Sequence, residues 1–334
     1  MVALSILDLV PVAEGKTPAD AFANTKDLAQ HAEQWGYQRY WVAEHHNMVG
    51  IASAATSVVI GYIAAHTSTI RVGAGGIMLP NHSPLLIAEQ FGTLESLYPG
   101  RIDLGLGRAP GTDRATSQAM RRDMMASDHF PDDVLELQSY FGPLQPEQTI
   151  QAVPGAGLNV PLWILGSSLY GAQLAAALGL PYAFASHFAP DALEHALAIY
   201  KAQFRPSNQL TKPHAMAGVN VVLADTDAEA DKLFTSIQQR FTDMVRGKRG
   251  YLKAPINDIN AYWSADEQFH ASRMLTCSFV GSPDTVKRKL DAFVASTGVD
   301  ELMVASAIFD HQARLRSYEL LAQLNERALL GKAA

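Results

Sequence analysis

The chain of 334 residues is 48% hydrophobic and 18% charged, enough to build a core larger than one small domain needs. One large α/β domain or two smaller ones are the options. A formal charge of −7 offers no broad basic surface, and with no zinc-finger or RNA-binding signature nucleic acid is not an expected partner.

In chain order, the amino-terminal "MVALSILDLVPVAEGK" has no positive charge ahead of its apolar run, so it lacks the layout of a secretory signal. Its "LSILDLV" reads as a first strand, followed by a helix from about Pro18 to Trp35. "RYWVAE" is a second strand. The most apolar stretch, "IASAATSVVIGYIAAHTSTI", is broken by Ser, Thr and His and reads as a buried helix, so no membrane association is expected. "IRVGAGGIML" is followed by the helical "SPLLIAEQFGTLESLY", and "RIDLGLG", "PLWILG", "YAFASHF", "AMAGVNVVLA" and "ELMVAS" complete the strands. Eight near-continuous apolar runs, separated by helix-compatible segments, are what a parallel sheet covered on both faces requires. The expected fold is a (β/α)8 TIM barrel, one domain over residues 1–334, with long insertions at the carboxyl-end loops. These insertions run from Arg108 to about Val160 and from about Arg246 to Pro283, too long for ordinary connections.

A doubly wound sheet is the competing architecture, with "GLGRAPG" as its dinucleotide loop. Gly105, Gly107 and Gly111 are spaced one residue too widely, and Pro110 stands where the first helical turn would donate its amides. The single Cys277 can form no internal disulfide, which suits the cytoplasm.

In a barrel the chemistry collects where the strands end. The residues there are Glu44, His45 and His46, then Gly75 and Gly76, Arg108, the run Gly166, Ser167, Ser168, and His187. Small residues, hydroxyls, one Arg and several His suit an anionic phosphate and a flat ring better than a metal ion. Adjacent side chains on a strand face opposite ways, so His45 and His46 cannot readily share one ion, and no metal site is expected. Taken alone, the pair fits either one histidine in the barrel wall and one in solvent, or a proton-transfer group titrating near pH 6.5.

"EHHN", "IRVGAGGIMLPNHSPLLIAEQ", "YPGRIDLGLGRAPG", "PLWILGSSLYGAQLAAALGLPYAFASHF" and "VGSPDTV" lie in order across nearly the whole chain. Together they resemble the bacterial luciferase-like flavin monooxygenases, most of all their single-subunit, non-luminescent branch. The resemblance implies a barrel that binds reduced FMN (FMNH2), with O2 and a small organic substrate meeting at its mouth. It implies that Arg108 reaches the flavin phosphate, a task its forked donors suit, although a surface arginine would look the same. By the same resemblance Gly166, Ser167 and Ser168 form the phosphate loop, where simple helix capping is the alternative. Tyr170 would add a further phosphate contact. Ala74, Gly75 and Gly76 match the segment that packs backbone against the flavin ring, sometimes through a cis peptide, and His45 matches the histidine at the ring's reactive edge. The reactive cysteine that luciferases carry before the phosphate arginine is Gly107 here, which argues against light emission.

Cys277 reads as a small buried hydrophobe. "RGKRGYLK", Arg246 to Lys253, reads as a solvated mobile loop or as a lid drawn to an anionic cofactor. The expected activity is FMN-dependent monooxygenation. A non-catalytic flavin-binding barrel and a deazaflavin (F420)-dependent dehydrogenase are the alternatives. Without a nucleotide-binding glycine loop, reduced flavin should come from a separate NAD(P)H:flavin reductase, and a homodimer is the expected assembly.

Overall fold

The computed structural model describes residues 2–109, 113–122 and 124–330. Pro110 and Gly111 of the dismissed dinucleotide loop lie outside the described residues. In chain order the elements are β1 (Ala3–Asp8), α1 (Pro18–Gln34), β2 (Arg39–Val42), α2 (Thr56–Ala65), β3 (Arg71–Met78), α3 (Pro84–Leu97) and β4 (Ile102–Gly107). Next come α4 (Arg114–Ala119), α5 (Phe130–Phe141), β5 (Leu162–Gly166), α6 (Leu169–Leu178), β6 (Tyr182–Phe184), α7 (Leu193–Gln203) and β7 (Ala215–Leu223). The chain continues through α8 (Asp227–Val245), α9 (Ala265–Met274), β8 (Ser278–Gly281), α10 (Pro283–Thr297), β9 (Glu301–Ala305) and α11 (His311–Leu330).

All pairings among these strands are parallel, in the order β6-β5-β4-β3-β2-β1-β9-β7-β8, and β6 also pairs with β7. That last pairing closes the sheet on itself. Of its nine strands, β8 attaches only to β7, so the closed barrel has eight, and they are the eight read from the sequence. Closure rules out the open doubly wound sheet. Strand β7 serves both partners: Met216 to Asn220 pair with β9, and Asn220 to Leu223 continue outward to pair with β8.

The two expected insertions need correction in detail. The first contains the whole barrel helix α5, and the second contains α9 and β8, so neither is one long loop. Strand β8 is four residues long with alternating burial, too short to stand out as an apolar run. The Arg246–Lys253 run is not a free solvated loop either. Leu252 exchanges backbone hydrogen bonds with Val12 and Glu14, while Arg246 pairs with Glu267, Arg249 with Asp113 and Lys253 with Asp243.

The helices start where short-range chemistry says they should. Thr17 caps α1 in a reciprocal capping box with Asp20, ahead of Pro18. Gly179 and Gly298 end α6 and α10 in the left-handed conformation. Inside the barrel, strand positions alternate between interior and helix layer. Leu7, Trp41, Trp163, Ala183, Met216 and Met303 form an interior apolar plug separate from the larger core under the helices.

Below this plug, at the amino ends of the strands, lies a layer of paired charges. Asp103 accepts from Arg39 Nη1 at 2.8 Å, Arg71 Nη2 at 2.6 Å and Trp41 Nε1 at 3.1 Å. Glu301 accepts from Arg39 Nε and His214 Nε2, both at 3.1 Å, and from Ser5 Oγ.

A second buried ion pair ties the two ends of the chain together. Asp8, at the end of β1, accepts from Arg314 Nη2 of α11 at 2.8 Å and from the hydroxyls of Thr25 and Tyr40 at 2.6 and 2.5 Å. It also takes the Val10 amide at 2.8 Å, holding Val10 at φ 50°, an unfavourable region for a β-branched residue. Removing one partner of such a pair strands the other charge. Arg314→Met is therefore expected to cost about 3–5 kcal/mol of stability, read from equilibrium urea unfolding. A loss under about 1 kcal/mol, the range of exposed pairs, would mean that Asp8 is not held by this partner.

Candidate active site

A cavity of about 390 Å³ opens above the apolar plug. Its walls are the inward positions of successive strands carried past their ends: Leu7 and Leu9, then Trp41, Ala43 and His45, then Gly75, Gly107, Leu165 and Ser167, then Ala183, Ala185 and His187, then Gly218 and Asn220, then Met303 and Ala305. This step of two explains why His45 lines the cavity and its neighbours do not.

Glu44 and His46 turn outward into a network of their own. Glu44 Oε1 accepts from His46 Nε2 at 2.8 Å and Asn81 Nδ2 at 3.0 Å, while Oε2 accepts from the Met78 amide and His82 Nε2, both at 2.9 Å. Burial alone would push the Glu44 carboxyl up. The hydrogen bonds from His46 and His82, the His82 charge and Asn81 outweigh burial and hold it at about 2. The same bond to Glu44 raises His46 above its ordinary value of 6.5.

His45 behaves in the opposite way. Burial, with the nearby Arg240 charge second, pulls it down to about 4, and its Nδ1 is buried with no hydrogen-bond partner. His187 is likewise held at about 4, by burial first and then by His45 and Arg240, and its Nδ1 is also unpartnered. The expectation of a histidine titrating near pH 6.5 is thus corrected for His45: the folded protein keeps its imidazole neutral well below that. His187 is fixed by its backbone, since Asn220 Nδ2 donates to its carbonyl at 2.6 Å, and by lack of room, since a Cβ at Gly218 would collide with its ring.

Eight of the nine residues given a site role by the resemblance line this one cavity: His45, Gly75, Gly76, Arg108, Gly166, Ser167, Ser168 and Tyr170. Ala74 does not. One step before the inward Gly75, its side chain packs into the core under the helices, so only its backbone is near the site. The Gly75–Gly76 peptide is cis. No larger residue fits there, because a Cβ at Gly75 would lie 2.9 Å from the Trp41 ring and one at Gly76 would lie 2.6 Å from the Gly105 carbonyl oxygen.

At the mouth, the Arg108 guanidinium lies 4.1 Å from the centre of the Tyr170 ring. Both flank the first turn of α6. Ser168 is the N-cap of that helix, yet its side chain makes no capping hydrogen bond, so simple capping does not account for its hydroxyl. An uncapped helix start, two hydroxyls and a guanidinium without a carboxylate partner among the described residues suit a phosphate. The apolar floor of Leu7, Trp41, Leu165 and Met303 suits a flat ring. On these grounds the residues present fit a flavin mononucleotide.

Sequence reasoning missed Arg240, which reaches the cavity from the middle of α8 beside Ile237, Phe241 and Met244. These positions share a helix face, but nothing in the sequence says that this face covers the barrel mouth. Cys277 is buried, as a small core residue. Among the described residues no cluster of His, Cys, Asp or Glu is placed to hold a metal, and no helix is long and apolar enough to cross a membrane.

Barrel, cavity and donor set together define an α/β-barrel enzyme with its pocket at the carboxyl ends of the strands. Residues 3–301 match the family model of luciferase-like monooxygenases, and the chain belongs to that family. A protein of Escherichia coli (strain K12) described as a luciferase-like monooxygenase is 54% identical over 329 residues, 98% of each chain. The solved structure of apo-MsnO8 superposes with a TM-score of 0.90 at 37% identity, covering 98% of this chain and 99% of that one. Two more distant structures share the fold. One is the oxygenating constituent of 3,6-diketocamphane monooxygenase from Pseudomonas putida in complex with FMN, with a TM-score of 0.69 and 19% identity over 96% of each chain. The other is an F420-dependent secondary alcohol dehydrogenase, with a TM-score of 0.70 and 15% identity over 95% of this chain and 97% of that one. Membership in a family of monooxygenases sets aside the reading as a non-catalytic flavin-binding barrel.

The shifted groups give a pH profile with a definite sign. His45 and His187, depressed in the fold, take up protons on unfolding below pH 6.5, so stability falls as pH drops from 6.5 towards about 4. The contribution of Glu44 is present above 4.5 and is lost as pH falls through 4.5 towards about 2. His46, raised, contributes below 6.5 and loses its contribution as pH rises through its folded value. Side-chain nitrogen NMR should find the His45 ring neutral from pH 8 down to 5. A protonated ring above pH 5.5 would contradict the environment described for it.

Proposed function

We propose that the chain, as one domain over residues 1–334, is an FMN-dependent monooxygenase that uses reduced FMN and O2 to oxidise a small organic substrate. The observation that carries this reading is convergence: a guanidinium, two hydroxyls and a helix start meet at one rim of a cavity whose floor is apolar and whose wall holds a neutral histidine. When bound, reduced FMN supplies the electrons that activate O2 for transfer of an oxygen atom to the substrate. Arg108, Ser167 and Ser168, with the amides opening α6, would hold the phosphate, and Tyr170, its ring centre 4.1 Å from the Arg108 guanidinium, would steady that group. Backbone at Ala74, Gly75 and Gly76 gives the ring a close wall. The apolar floor keeps water away from the reacting atoms. The neutral His45 imidazole, in the cavity wall, is the group that takes and returns a proton.

The test of the phosphate assignment is affinity. Arg108→Ala should weaken FMN binding by about ten- to a hundredfold, the worth of one or two charge-assisted hydrogen bonds, and leave riboflavin nearly unaffected. Equal losses for both would remove Arg108 from the phosphate site. Tighter binding of F420 than of FMN would turn the reading towards a deazaflavin-dependent dehydrogenase.

The electron source follows from what the cavity holds. A barrel mouth committed to a flavin leaves little room for a dinucleotide beside it, and "GLGRAPG" has the wrong glycine spacing for one. A separate NAD(P)H:flavin reductase would then supply FMNH2. The same reading places the enzyme in the cytoplasm as a homodimer. Anaerobic mixing of protein, FMN and NADH or NADPH should leave flavin absorbance unchanged until a reductase is added; rapid bleaching without one would make the protein a flavin reductase itself.

A further inference from the structure

The cavity has an electrostatic asymmetry that one phosphate does not absorb. No Asp or Glu lines it among the described residues, whereas Arg108, Arg240, His45 and His187 do. Arg314 also reaches it, but that charge is matched by Asp8. Arg108 follows β4 and stands over Tyr170 at the start of α6. Arg240 comes from α8, the helix after β7, so the two guanidinium groups enter from strands three places apart in the barrel order. Among the described residues Arg240 makes no ion pair or hydrogen bond. Burial lowers its pKa, and its charge is felt at both His45 and His187. A part-buried guanidinium with no matching charge is costly, and a fold does not need one here: its helix neighbours Ile237, Phe241 and Met244 cover the mouth with apolar surface.

We propose that Arg240 is the anchor for a carboxylate carried by the organic substrate, whose apolar remainder lies against Phe188, Phe241 and Met244. This rests on the reading of the cavity as the place where flavin and substrate meet, and it narrows the substrate to an amphiphilic carboxylic acid. The forked donors of a guanidinium match both oxygens of a carboxylate. An acid held there has its reactive portion beside His45, on whose ring the Arg240 charge already acts. Of the two cationic poles, Arg108 is associated with the helix start that suits a phosphate, which leaves Arg240 as the pole for a second anion.

The test uses hexanoate and hexanamide as probes, titrated calorimetrically into FMN-saturated protein. Hexanoate should bind about ten- to a hundredfold more tightly than the amide. Arg240→Gln should abolish that preference while leaving hexanamide affinity in place, and Arg240→Lys should keep part of it. Because the substitution removes an unmatched, part-buried charge, the Gln variant should melt no lower than the parent. Equal affinities in the parent, or a preference that survives in Arg240→Gln, would overturn the assignment. So would a fall in FMN affinity of matching size in that variant, since Arg240 would then belong to the flavin. The FMN isotherm is recorded separately. Failure to bind FMN at all would sink the flavin reading, and the two probes, titrated without it, would still report on Arg240.

Discussion

The Asp103–Arg39–Glu301 chain of ion pairs is the constraint on which the rest of the barrel depends. Arg39 opens β2, Asp103 lies in β4 and Glu301 opens β9, so one guanidinium joins three strands across the amino end. Arg71 completes the charge balance, His214 adds a hydrogen bond to Glu301, and the Trp41 indole of the apolar plug donates down to the Asp103 carboxylate. Buried carboxylates are tolerable only when matched in this way. With these acidic groups gathered and matched below, no carboxylate among the described residues lines the cavity above, which presents an apolar floor under cationic walls.

The upper end is set by a second node. Glu44 gathers His46, His82, Asn81 and the Met78 amide, which fastens the end of β2 to the end of β3 beside the Gly75–Gly76 peptide. Fixing Glu44 and His46 outward leaves His45 inward. Two adjacent histidines therefore acquire opposite electrostatics: His46 is raised by a carboxylate at 2.8 Å, and His45 is lowered by burial and a neighbouring positive charge. A neutral ring beside an apolar floor can exchange a proton with a bound molecule without first losing one to a counter-ion.

Glycine-rich strands supply the space above the plug. Gly75 faces Gly105 across β3 and β4, and the surrounding Trp41, Leu7 and Leu165 side chains occupy what larger residues would need. The result is a wall of backbone rather than side chains on one side of the cavity, with hydroxyl and guanidinium donors at its rim. Substrate and cofactor would share one opening, which α8 partly covers.

The sequence by itself determined the eight barrel strands, because each is an apolar run bounded by turns and helix signals, and a buried parallel strand needs little else. It also determined that His45 and His46 face apart, since strand alternation is local, and that the strand ends carry donors for an anion. Only the tertiary structure decided the rest. Strand β8 is visible only through its pairing with the far half of β7, and Ala74 leaves the cavity because the strand phase runs through Gly75. The depressed value of His45 comes from burial by elements distant in sequence. Arg240 enters the site only because α8 folds across the mouth, and no local pattern encodes which helix face meets a barrel whose strands are spread from residue 3 to residue 305.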